Sequence, residues 1–191
     1  MAMQDGEALL ELGLALHPGH DLARHRLMTE LASRLGYSSI VIPRDCADAD
    51  ELAADLRSVV PGMSVEIDDP ADAHVVRVAH LAAIRATRTA LEAAGDSRPV
   101  VVAVPVSIGR TTNEAQARAS RDARFVGDQH PEVSGIFGTF EQAQRQVIDI
   151  ARAGGGALRV TLADDPDIAD LLAQVRALVV GPTVVLHRGN R

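Results

Sequence analysis

The run Val100-Val101-Val102-Ala103-Val104-Pro105-Val106 is apolar at every position. An amphipathic helix, or a strand with one wet face, would show a period, and this stretch shows none. β-Branched residues dominate it, so it reads as a strand covered on both faces. Such strands belong to parallel sheets flanked by helices, and the rest of the chain is expected to alternate strand with helix.

The pattern upstream agrees. Leu9 to Leu16, ended by His17-Pro18-Gly19-His20, is too short for an ordinary helix and reads as the first strand. Asp21 then precedes Leu22, Leu27, Leu31 and Leu35 at helical spacing, and Gly36 stands where a helix C-terminal glycine belongs. Ser39 to Pro43 is the second strand. Leu52, Leu56, Val59 and Val60 predict a helix from Asp48 to Val60, stopped by Pro61-Gly62, and Ser64 to Ile67 is a weaker strand. From Ala71 to Ala94, His74, Val78, Leu81, Ile84 and Leu91 recur at helical steps and predict one long helix ending at Gly95.

Downstream of the valine run, Thr111 or Thr112 caps a helix carrying Ala115 to Phe125, and Ser134 to Gly138 reads as a short strand. Thr139-Phe140-Glu141-Gln142 has the spacing of a capping box, opening a helix that runs to Gly154-Gly155-Gly156. Leu158 to Leu162 is the last strand, Asp164-Asp165-Pro166 a helix start, and Ile168 to Val180 the last helix. Residues 136–180 therefore close the chain as a capped helix, a buried strand and a second helix. About six strands, joined by right-handed crossovers, make a parallel sheet that is either open or closed into a barrel. Periodicity alone leaves both arrangements standing.

Composition narrows the classes. No Gly/Ser/Pro-rich linker divides the 191 residues, so residues 1–191 read as a single domain. With aromatics at 2% the core must be aliphatic. All of the basic residues are arginine, which excludes a Schiff-base lysine and a P-loop lysine. A net charge of −7 with scattered arginines argues against nucleic acid as a partner. Neither a signal-like N-terminus nor a long apolar run is present, so no membrane association and a cytoplasmic location are expected. The lone Cys46 supplies neither an internal disulfide nor a CxxC metal pair. His17, His20 and His25 cluster around a Pro-Gly turn, but no carboxylate or thiol pattern completes a metal site.

Several segments, taken in order, resemble a known family. The first is Leu35-Gly36-Tyr37-Ser38-Ser39-Ile40-Val41-Ile42-Pro43, followed by Val104-Pro105-Val106, Gly109-Arg110-Thr111 and Glu114-Ala115. Gly138-Thr139-Phe140-Glu141-Gln142 before Ala153-Gly154-Gly155 completes the series. Together they resemble the luciferase-like flavin-dependent monooxygenases. Members are (β/α)8 barrels that bind FMN or the deazaflavin F420 at the C-terminal ends of their strands, and most are far longer than this chain. The resemblance therefore implies an α/β fold that is an incomplete or shortened TIM-type barrel, bacterial-luciferase-like, with its first two units and last three retained.

In such a barrel, functional groups follow strands, which selects His17, Arg44, Asp45, Ser107, Arg110, Gly138, Thr139 and Asp164. For the cofactor phosphate, the resemblance implies Gly138 and Thr139 at a helix N-terminus, with Ser107 and Arg110 as further donors. His17 is the candidate to orient a flavin or act as a base. Where relatives carry an acidic residue and histidines after the second strand, this sequence has Arg44-Asp45-Cys46. Two functions follow: an FMN- or F420-dependent oxidoreductase or monooxygenase acting on a small-molecule substrate, or a non-catalytic half-barrel that keeps only binding or interaction. A barrel opened by deletion exposes strand edges, so a homodimer or a partner subunit is expected.

Overall fold

The computed structural model describes residues 10–69, 76–78, 80–122, 124–125, 131–162 and 167–180. The valine run lies at its centre. It forms β5, Val100–Gly109, extended beyond the predicted end because Val106–Gly109 pair with β6, Ile136–Thr139. Its first half pairs with β7, Ala157–Leu162, and with β4, Val76–Val78. On the far side of β7 come β1, Glu11–Ala15, then β2, Ser39–Ile42, and β3, Ser64–Ile67. All pairings are parallel, giving a seven-stranded sheet of order β3-β2-β1-β7-β5-β4 with β6 on β5.

The helices are α1 Leu22–Arg34, α2 Ala49–Val59, α3 Ala83–Ala93, α4 Thr112–Ala119, α5 Pro131–Ser134, α6 Phe140–Arg152 and α7 Ile168–Val180. Local chemistry sets their ends. Asp21 caps α1 by accepting the Arg24 N–H at 2.8 Å. At the other end Gly36 takes φ 78°, while the N–H groups of Gly36 and Tyr37 bond back to Ser33 and Ala32, the paired closure of a Schellman turn. Thr139 and Gln142 form the reciprocal capping box of α6. Among the described residues no helix is long and apolar enough to cross a membrane.

Three expectations are corrected. The long helix from Ala71 to Ala94 is instead strand β4 followed by the shorter α3. Val76 and Val78 pair with Val100 and Val102 at the edge of β5, and this tertiary pairing of β-branched residues overrides their helical spacing. Residues 71–75 of that expected helix lie outside the described residues, as does the Asp164-Asp165-Pro166 helix start. The helix expected to reach Phe125 stops at Ala119, because the Asp122 carboxylate accepts the backbone N–H of Arg124 at 3.0 Å and so offers the chain a turn. Ser134 closes the one-turn α5 rather than opening a strand.

Side-chain alternation splits the sheet into two unlike faces. Leu12, Leu14, Val102, Val104, Leu158 and Val160 point one way, into one aliphatic core with α1, α2, α3, α6 and α7. The helix α4 belongs elsewhere: Ala115 and Ala119 pack with Phe125 and Phe137 in a separate small cluster. Phe137 pairs in register with Ser107, on the opposite parity from the aliphatic set. Apart from Val41 and Val101, that second face otherwise carries mostly small and charged residues.

Charges on the second face show how the sheet is rolled. Six strands laid flat at about 4.8 Å spacing would hold β3 and β4 about 24 Å apart. Yet Arg77 of β4 reaches Asp68, just past β3, at 3.2 Å. Arg159 of β7 likewise crosses β1 and β2 to Glu66 of β3 at 2.6 Å. Its path runs over Gly13, where a Cβ would come within 2.5 Å of the Ser39 hydroxyl and 3.5 Å of the Arg159 stem. The sheet is thus curved into a barrel-like trough with this face inside, and among the described residues no ladder bonds join β3 to β4.

Candidate functional site

Beyond the C-terminal ends of β5 and β6 lies a cavity of about 560 Å³. Its walls come from the end of β5 and from α4, the start of α6, and the first turns of α7. Arg110 and Arg118 contribute positive charge, and Glu114, Glu141, Asp167 and Asp170 contribute negative charge. These acids sit in the first turns of α4, α6 and α7, or just before, where they complement the positive helix ends.

The two arginines differ. Arg118, with 15% of its side chain exposed, donates to the carbonyl of Ile108 and faces Glu114 at 3.8 Å. Arg110 gives its backbone N–H to Glu114 at 2.9 Å, while its guanidinium has no partner among the described residues. Across the cavity, helix geometry leaves the N–H groups of Phe140 and Glu141 in the first turn of α6 without intrahelical acceptors. Arg110 and these amides are among the donors that line the cavity.

Compared with known sequences, the chain matches no family model and no curated protein. Solved structures do match. That of apo-MsnO8 superposes over 90% of this chain and 97% of that chain, with a TM-score of 0.59 at 14% identity. The coenzyme F420-dependent tetrahydromethanopterin reductase of Methanopyrus kandleri superposes over 90% of this chain and 98% of that chain, with a TM-score of 0.59 at 10% identity. The chain has the luciferase-like fold. At such identities the likeness is one of architecture, and the residues of the site must speak for themselves.

Within this luciferase-like fold the expected site residues separate into groups. Arg110 and Thr139 come together at the cavity. Ser107 does not join them: it is buried, and its hydroxyl donates to the carbonyl of Ala115 at 2.8 Å, which ties β5 to α4. Gly138, at φ 120°, faces the capping side chain, since a Cβ there would fall on the Gln142 amide oxygen. Its lack of a side chain is required by the cap. Thr139 is likewise engaged, its N–H donating to Gln142 Oε1 at 2.8 Å.

His17 lies away from this cavity, past β1, where its Nδ1 accepts the Gly19 N–H at 3.0 Å. Its ring stands 5.1 Å from that of His20, which is 6.0 Å from His25. The buried His25 pairs through Nε2 with the His17 carbonyl at 3.0 Å. His20, His25 and Cys46 line a second cavity of about 410 Å³ at the ends of β1 and β2. Burial, then the Asp45 charge, push the Cys46 thiol up from its ordinary value and keep it protonated. Among the described residues no His, Cys, Asp or Glu cluster has metal-binding geometry. Arg44 pairs with Asp69 at 3.2 Å, and Asp164 lies outside the described residues.

Sequence reasoning missed Glu114 and Arg118 as site residues. Both left a local signal: Thr111 to Glu114 has cap spacing, and Glu114 to Arg118 is an i,i+4 acid–base pair. Asp167 and Asp170 left none, because only the packing of α7 brings them to the end of β5.

Proposed function

We propose that the chain is an oxidoreductase of the luciferase-like type that binds FMN or F420 over the C-terminal ends of β5 and β6. One observation carries this reading: a cavity of about 560 Å³ joins the guanidinium of Arg110, unpartnered among the described residues, to the first turn of α6, at the strand ends where this fold places ligands. Arg110 and the N–H groups of Phe140 and Glu141 fit the phosphate end of the cofactor. When bound, such a cofactor supplies the hydride or oxygen chemistry. The chain's own part is to hold the phosphate and orient what is attached to it. The F420 dependence of the Methanopyrus kandleri reductase supports this assignment through fold alone.

The ring end of the cofactor is met less well. Among the described residues Phe140 is the aromatic that lines the cavity, and no histidine lines it. For that reason no side chain is assigned to proton transfer. The same observation favours a second reading, a half-barrel that binds ligand without catalysis.

Titration of the purified protein with FMN and with F420, followed by absorbance and cofactor fluorescence, tests both. Binding of one of the two is expected, and Arg110→Ala is expected to weaken it about tenfold or more, the value of a charge-assisted hydrogen bond. If neither cofactor binds, the oxidoreductase reading fails. Binding without oxidation or reduction of the bound cofactor by any redox partner leaves the second reading.

A further inference from the structure

Several bonds converge on the turn that carries Arg110, and none uses its guanidinium. Glu114 Oε2 accepts the Arg110 N–H at 2.9 Å, while Oε1 faces Arg118 at 3.8 Å. Arg118 donates onward to the carbonyl of Ile108 in β5. The Thr111 hydroxyl accepts the Glu114 N–H at 3.2 Å, and the Ser107 hydroxyl donates to Ala115 at 2.8 Å. Gly109 completes the closure, since a Cβ there would stand 2.5 Å from the Ala115 nitrogen and 2.8 Å from the Thr111 oxygen. The end of β5 and the start of α4 form one tied unit, in which Arg118 is bonded back to β5 and the Arg110 guanidinium has no partner among the described residues.

Glu114 poses a physical difficulty for such a site. A bare carboxylate beside Arg110 would repel the anion that Arg110 is placed to attract. Arg118 offsets that charge from the next turn of α4, at a position too tied to the Ile108 carbonyl to reach across the cavity itself.

We propose that Glu114 is the positioning residue for Arg110, holding its backbone so that the guanidinium is presented to a phosphate, and that Arg118 neutralises Glu114 so that this hold does not repel the ligand. The proposal rests on the reading of the cavity as a phosphate site and assigns the division of labour within it. The same geometry makes Ser107 an anchor of the turn.

The test uses inorganic phosphate and FMN as probes, with backbone amide exchange at Arg110 as an independent readout. Glu114→Ala removes the acceptor and is expected to speed Arg110 exchange and weaken both probes about tenfold. Glu114→Gln keeps a carbonyl acceptor and loses the charge, so it should restore slow exchange and bind phosphate at least as well as the parent. Arg118→Met should weaken phosphate about threefold to tenfold at low salt, with Arg110 exchange unchanged. If Glu114→Gln binds as poorly as Glu114→Ala while the parent binds well, the positioning role is overturned and the cofactor site survives. Unchanged affinity in Arg118→Met overturns the neutralising role. A parent that binds neither probe overturns the phosphate reading, and with it the purpose assigned to Glu114.

Discussion

On the outer face of the sheet Leu14, Val104, Leu158 and Val160 are fully or almost fully buried against helices. On the inner face the same strands present Gly13, Ala15, Ala103 and Arg159, and Ala103 is exposed although β5 is a central strand. The outer face is held by area removed from water, a force without direction that grows with every buried methylene. The inner face is governed by clearance and by charge: small residues leave room, and Arg159 and Arg77 draw distant strands together. Stability resides on one face of this sheet and curvature on the other.

That contrast ranks the expected effects of substitution. Leu158→Ala, in the outer core, should cost about 2–5 kcal/mol in chemical denaturation, with the cavity it leaves setting the value in that range. Gly13→Val on the inner face forces a side chain onto Ser39 and the Arg159 stem, and should cost about 1–3 kcal/mol. It should also raise amide exchange in β3, because Arg159 loses its path to Glu66. Asp68→Asn should cost less than about 1 kcal/mol, since the pair is partly solvated, and the difference should vanish in about 1 M salt. If Asp68→Asn cost as much as Leu158→Ala, the division between the two faces would be broken. A Gly13→Val variant with unchanged exchange in β3 would show that the curvature does not depend on Arg159.

Much of the outer face was legible in the sequence, because its signal is local and repeated. The unbroken valines of β5 and the cap residues Thr111 and Thr139 each report on a few neighbours. The leucines of α1, by contrast, marked a helix but not its buried face, since Leu22 and Leu27 are exposed while Met28 and Ala32 are buried. The inner face was not legible. Gly13 carries no periodic signal, and its purpose emerges only when Arg159, far along the chain, is laid over it. The β4 segment failed for a related reason, since Val76 and Val78 become a strand through the edge of β5 and not through their own spacing. At the candidate site, Arg110 and Thr139, selected for their position after strands, line one cavity. Ser107 shared that position but is buried away from the cavity, and its hydrogen bond to Ala115 depends on how α4 folds back, which no local pattern reports.

The optical properties of the chain follow from Tyr37. It is the sole tyrosine, there is no tryptophan, and its hydroxyl is buried and donates to the carbonyl of Leu172 in α7 at 2.9 Å. Burial pushes its phenol well above the ordinary value, the nearby Arg176 opposing this, so the ring stays neutral in the folded chain. The tyrosine absorption band therefore reports on one place, the seat of α7 against the turn after α1, and a phenolate signal in alkali would mark the moment that this helix lets go. The visible region is left dark, so any yellow chromophore carried by the protein would be seen without background.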